Sequence, residues 1–248
     1  MRIPVMQGVI ERRILANFHV DADVMARLLP PPFRPQLVKD KAMAGICLIR
    51  LIKVRPKFFP IPIGIRSENA AHRIAVQWTV NGKDHHGVYI PRRDTNSRLN
   101  TWAGGTLFPG EHHHASFTVM ETADHLSVSL ASDDGTTTLH VAGKVSDTLP
   151  RSSLFANLSA ASEFFARGSL GYSATSNAAR FDGLELCCSS WSVNALDVER
   201  ISSSFFDDPK KFPPGSVEFD CALLMRNIPH EWHSREDLFA DSSTRLVQ

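Results

Sequence analysis

The segment from His72 to Ile90 constrains the architecture most. Ile74, Val76, Trp78 and Val80 share one face of a two-residue alternation, with Arg73, Gln77 and Thr79 opposite, the period of a half-buried strand. Asn81-Gly82 follows, a pair that favours the left-handed backbone of a tight hairpin turn, and Gly87–Ile90 forms the returning strand. Leu126–Leu130, Asp134-Gly135 and Thr137–Val145 spell a second hairpin. Ala44–Val54 is apolar at nearly every position, as a strand covered on both faces is. Further strands are expected over Glu111–Met120, around Leu184–Val193 and over Val217–Met225.

Helical signals are few. Asp21–Leu29 has an N-cap candidate in Asp21 and an apolar face, and Pro30-Pro31-Pro32 stops it. Ser152 or Ser153 is expected to cap a helix running to Arg167 and ended by Gly168, and Ser234-Arg-Glu-Asp to cap a short final one. The pattern predicts an α+β fold of mainly antiparallel strands. Closure removes exposed edges, so a closed or nearly closed β-barrel with a few peripheral helices is expected. No repeat or linker divides the chain, and Lys210–Gly215 reads as a loop, so residues 1–248 are taken as one domain. Barrels of this size can hold a small ligand.

Composition excludes several classes. The net charge of +1 gives no global case for nucleic-acid binding. Its distribution is uneven: 17 Lys+Arg against 8 Asp+Glu in residues 1–120, and 10 against 18 thereafter. Such halves can attract each other within one fold, or the first can build an anion-attracting pocket. Apolar runs such as Ala42–Leu51 are too short to cross a bilayer, and the N-terminal residues lack a signal-peptide pattern. Cys47, Cys187, Cys188 and Cys221 show no metal or redox spacing, and neighbouring Cys187 and Cys188 point to opposite faces of a strand. These features read as a cytoplasmic protein with reduced thiols, no membrane partner and no cofactor.

Polar groups concentrate between His85 and Phe117. Arg92, Arg93, Asp94 and Arg98 follow the strand Gly87–Ile90, and Pro91 is expected to end regular pairing there or to mark an edge. Adjacent Arg92 and Arg93 point in different directions, so at most one enters a cavity. The group is either a salt-bridged loop or an anion site. His112 and His114 share one strand face, which could supply two metal ligands or one acid–base group; His113 shares the other with Ala115, Phe117 and Val119. Arg50 interrupts an apolar strand and must pair with a carboxylate such as Glu68 or bind a substrate carboxylate. Pro56–Ile65 is apolar and proline-rich, a candidate for core packing, a pocket lid or a homo-oligomer contact.

His19–Pro35 (HVDADVMARLLPPPFRP) and Gly87–Pro109 (GVYIPRRDTNSRLNTWAGGTLFP) resemble the acetoacetate decarboxylase-like superfamily. SENAAHRI, LFPGEHHHASF and MRNIPHEWH resemble its YqjF-like branch, and the likeness runs from about Ile10 to His233. The resemblance implies the barrel and an internal small-molecule pocket. It makes Glu68 a pocket acid and Tyr89 and Phe108 ligand contacts beside Arg50, Arg92, Asp94, Arg98 and His112. Acetoacetate decarboxylases carry two lysines after Phe-Pro, one of which forms a Schiff base; here Gly110 and Glu111 follow Phe108-Pro109, and neither can form an imine.

Three functions therefore stay open. One is an enzyme on a small carboxylate or keto acid, with Arg50 or Arg92 as anchor and His114 or Glu68 moving a proton. Another is a non-catalytic binder of a small ligand. The last is a metal-dependent enzyme using His112 and His114.

Overall fold

A computed structural model of the chain describes residues 4–58, 64–103 and 109–240. In chain order its elements are β1 (Met6–Asp21), α1 (Ala22–Leu28), β2 (Arg34–Pro35), β3 (Leu37–Val38), β4 (Lys41–Pro56), β5 (Ile65–Val80) and β6 (Lys83–Thr95). Next come α2 (Arg98–Ala103), β7 (His112–Glu121), β8 (His125–Ser132), β9 (Thr138–Ser146), α3 (Leu158–Ala166) and β10 (Leu170–Ala174). β11 (Arg180–Cys188), β12 (Asn194–Ser203), β13 (Val217–Ser234) and β14 (Leu238–Phe239) complete the order.

Five long strands, in the order β13-β1-β4-β5-β6, form the wall on which everything else is built. Neighbours in it are antiparallel. Two chains of strands join its outer edges. β7-β8-β9-β12 connects β6 to β13 and closes a ring of nine strands; β10-β11 connects the same two edges and closes a ring of seven. This is the expected α+β, mainly antiparallel and closed architecture. It arises twice over, because β6 and β13 each change partner along their length. β6 pairs with β10 at Val88–Ile90 and with β7 at Arg93–Thr95, in both cases in parallel.

Alternation assigns the two faces of the wall. Ile14, Ala16, Phe18, Ala44, Ile46, Leu48, Ala222 and Leu224 are buried in one large core with Leu126, Val128 and Val141 of β8 and β9. Leu15, Cys47, Ala75 and Leu223 face the other way and pack with Phe155, Ala161 and Phe165, the last two from α3. The hairpin at Asn81-Gly82 has the expected left-handed backbone, with φ of 50° and 74°.

Four local expectations change. The second helix starts at Leu158, capped by Asn157, whose side chain accepts from the Ala160 N–H at 2.9 Å. Ser153 instead donates to Asp220 at 2.8 Å, which holds the preceding turn out of the helix. Ser234 caps no helix: β13 pairs with β11 as far as Leu184–Ser234, and the chain then adds β14 to β11. Pro91 does not end the strand, because it lies at a register shift between β5 and β6, where a missing N–H removes no ladder bond. Finally, the strand expected around Leu184–Val193 stops at Cys188, and β12 follows as a separate strand.

Candidate functional site

A cavity of about 140 Å³ lies against the α3 side of the wall. Its apolar lining includes Ile49, Val54, Val88, Ile90, Phe165 and Trp232. The polar lining is dominated by Arg13, Arg73 and Arg93, with Cys47, Asn69 and His112 between them.

Strand register explains why these residues meet. Arg13 pairs with Ile49 and Ile49 with Asn69, forming one row across the wall. Leu15, Cys47, Ala71 and Arg93 form the next row on the same face, and Asn17, Gly45 and Arg73 the third. The three guanidinium groups thus rise from successive rows, with Cys47 in the middle one. Arg13 Nε donates to Cys47 Sγ at 3.3 Å. Arg73 donates to Asn17 Oδ1 and lies over the Phe165 ring, 4.9 Å from its centre. Arg93 Nε donates to Ser173 Oγ at 2.9 Å.

None of the three forms an ion pair with a carboxylate among the described residues, and Arg13 Nη1 and Arg73 Nε are buried without a hydrogen-bond partner. Burial pushes Arg73 and Arg93 down to about 10, and both stay cationic at neutral pH. Burial, then neighbouring Arg93, pushes His112 down to about 3, so its ring is neutral. His112 Nδ1 sits 3.2 Å from the Gly110 carbonyl, which can only accept, so this nitrogen carries the proton. The arrangement concentrates positive charge on one face of the cavity; the carboxylate whose charge reaches Arg93, Asp182, is engaged by Arg180 and by the Gly110 N–H.

Most of the residues chosen from sequence lie elsewhere. Arg50 and Glu68 pair with each other on the opposite face of β4 and β5, where Glu68 also accepts from Arg12 at 2.6 Å. Arg50 reaches Glu121 at 3.2 Å and Glu11 at 3.4 Å in the same network. Arg92 is held by Asp94 at 2.7 Å and Asp134 at 3.0 Å, away from Arg93 as alternation requires. Asp94 borders the cavity, yet its carboxylate is engaged by Arg92, and burial raises its pKa. His114 pairs with Asp133 at 2.7 Å. Tyr89 packs among Phe33 and Phe181, and Arg98 is exposed at the start of α2. Phe108 lies outside the described residues, as do residues 59–63 of the proline-rich loop. Among the described residues of the chosen set, only Asp94 and His112 border the cavity.

Arg13 was not singled out, and neither was Arg73. The available signal was Glu11-Arg12-Arg13 set between Val9-Ile10 and Ile14-Leu15, since alternation sends adjacent strand residues to opposite faces. No lysine among the described residues lines the cavity. Among the described residues no group of three or more His, Cys, Asp or Glu side chains converges as a metal site. No described helix is long and apolar enough to cross a membrane.

The family follows from a match to most of the chain. The DUF2071 family, described as an uncharacterized conserved protein, matches residues 9–214. The chain belongs to this family. Its fold is shared with acetoacetate decarboxylase and similar enzymes of known structure. Acetoacetate decarboxylase from Legionella pneumophila superposes with a TM-score of 0.61 at 9% identity, over 95% of this chain and 88% of that one. The enduracididine biosynthesis enzyme MppR complexed with pyruvate gives 0.57 at 11% identity, over 98% and 92%. An acetoacetate decarboxylase-like enzyme from Sphingomonas wittichii RW1 gives 0.56 at 11%, over 94% and 93%. No curated protein sequence matches significantly.

Proposed function

We propose that this DUF2071 protein binds a small carboxylate, with 2-oxo acids such as pyruvate as the leading class, in the Arg13–Arg73–Arg93 cavity. One observation carries the reading: three guanidinium groups without an ion-paired carboxylate line one cavity, Arg73 buried and Arg13 and Arg93 half-buried. A planar guanidinium fork matches two carboxylate oxygens, so the missing counter-charge has an obvious chemical form. The volume fits too. A dry cavity of about 150 Å³ accommodates benzene, and pyruvate has the same number of non-hydrogen atoms. MppR, which shares the fold, is described as complexed with pyruvate, making that acid the first ligand to test.

Arg73 and Arg93 would anchor the carboxylate, and neutral His112 would hydrogen-bond to the remaining polar end. Schiff-base chemistry does not belong to this reading, because Gly110 and Glu111 stand after Phe108-Pro109 and no lysine lines the cavity among the described residues. We also infer a cytoplasmic protein acting as one domain in the YqjF-like branch; the reduced cysteines and the motif SENAAHRI support this.

Isothermal titration with pyruvate tests the proposal. Saturable binding is expected, with competition by other small 2-oxo acids and none by their amides. Borohydride added to the complex should leave the protein mass unchanged. A lysine adduct would replace this mechanism with imine chemistry, and absence of any carboxylate binding would remove the proposal.

A further inference from the structure

Cys47 is not needed for anion binding, yet it occupies the centre of the cavity's charged face. It is one of the lining residues, and its sulfur accepts from Arg13 Nε at 3.3 Å. Arg73 and Arg93 both lie close enough to interact with it electrostatically. Arg73 is an independent pointer to a ligand: it is 7% exposed, and its Nε has no partner. The other cysteines have different surroundings. Cys221 is buried, with burial and then adjacent Asp220 pushing its thiol pKa up; exposed Cys187 and half-buried Cys188 both line a separate surface cleft.

An electropositive pocket with room for a reactant is the setting in which cysteine acts as a nucleophile. We infer that Cys47 adds reversibly through its sulfur to the carbonyl carbon of a 2-oxo acid held by the three arginines, giving a hemithioketal. The inference rests on the anion-binding reading above. The step balances without a further reactant. A bond forms between sulfur and carbon, the carbonyl π pair moves to oxygen, and the thiol proton ends on that oxygen. The arginines both orient the acid and stabilise the oxygen while it carries charge. Nothing leaves, so the adduct reverts when the ligand dissociates.

The unmodified protein supplies the first test. It is treated with iodoacetate or iodoacetamide, and each cysteine is followed by peptide mass mapping, with Cys187 as the internal reference. Relative to Cys187, Cys47 should favour the anionic reagent by roughly tenfold, as a positively charged cleft concentrates anions. Pyruvate should protect Cys47 and leave Cys187 unaffected. Pyruvate labelled with ¹³C at its ketone carbon should show that carbon moving from the carbonyl to the tetrahedral region in wild type, and remaining a ketone in Cys47→Ser. If pyruvate binds by calorimetry while Cys47 stays as inert as Cys221 and the ketone signal does not move, the nucleophile is refuted and the binding reading stands. If Cys47 reacts without charge preference and pyruvate does not bind, the binding reading falls and takes this inference with it.

Discussion

Arg12 and Arg13 are consecutive residues of β1, yet Arg12 donates to Glu68 at 2.6 Å while Arg13 faces the cavity and has no carboxylate partner. The strand alternation that separates them puts a satisfied ion network on one face of this wall and the cavity on the other. Arg12, Arg50 and Glu68 form a partly buried ion network with Glu121 on one side. Arg13, Arg73 and Arg93 leave positive charge unbalanced on the other. Substitutions at neighbouring positions should therefore have different consequences. Arg12→Gln should cost about 3 kcal/mol, because it leaves the partly buried Glu68 carboxylate with Arg50 alone, and should leave pyruvate affinity unchanged. Urea unfolding and calorimetry on the same preparation measure the two effects.

Arg93→Met should do the opposite. Removing one charge-assisted anchor should weaken pyruvate binding by roughly 10- to 100-fold. The ligand-free protein should become more stable by about 1 kcal/mol, since a desolvated cation without an ion-pair partner is replaced by an apolar chain of similar length. A thermal melt without ligand and a titration with it check both signs. If stability fell along with affinity, Arg93 would be an ordinary structural residue satisfied by Ser173.

Much of this was legible beforehand. The hairpins, the doubly covered β4 and the closed architecture follow from local periodicity and turn chemistry, which act over a few residues. The site was less legible because partner choice is non-local. Arg50 and Arg13 both interrupt apolar strands, and what distinguishes them is that Glu68 lies opposite Arg50 while Ile49 and Met225 lie opposite Arg13. That difference is a matter of register between β1, β4, β5 and β13. The Arg92-Arg93 pair was better posed: alternation allowed one of them into a cavity, and Arg93 lines it.

Acid should destabilise the fold well before carboxylates titrate. Burial pushes His72 and His112 from 6.5 down to about 3, and His230 to about 4. These rings are neutral in the folded state and protonate in the unfolded chain below about pH 6.5. Unfolding therefore takes up protons, and stability falls as pH drops through the window from 6.5 to about 4. A fully buried ring contributes up to about 1.4 kcal/mol per pH unit there. Unfolding free energies at intervals from pH 7 to 4.5 should show this slope, and His72→Leu should flatten it by about one histidine's share. A pH-independent stability across that range would contradict the assignment.

Gly110 gives a sharper test of why the motif after Phe108-Pro109 differs from that of acetoacetate decarboxylases. Its φ of +80° belongs to the left-handed region, and a Cβ there would lie 2.5 Å from the Ser173 Cβ. Its N–H donates to Asp182 at 3.0 Å, and its carbonyl fixes His112. A side chain at 110 meets both backbone strain and a collision with β10, the strand that carries the hydroxyl bonded to Arg93. Gly110→Ala should therefore cost about 1–3 kcal/mol and weaken pyruvate binding through displacement of His112 and Ser173. Gly110→Lys should be at least as destabilising and should yield no borohydride-trapped imine. Gly110→Ala with unchanged melting temperature and unchanged affinity would show that the turn is not what holds the cavity wall in place.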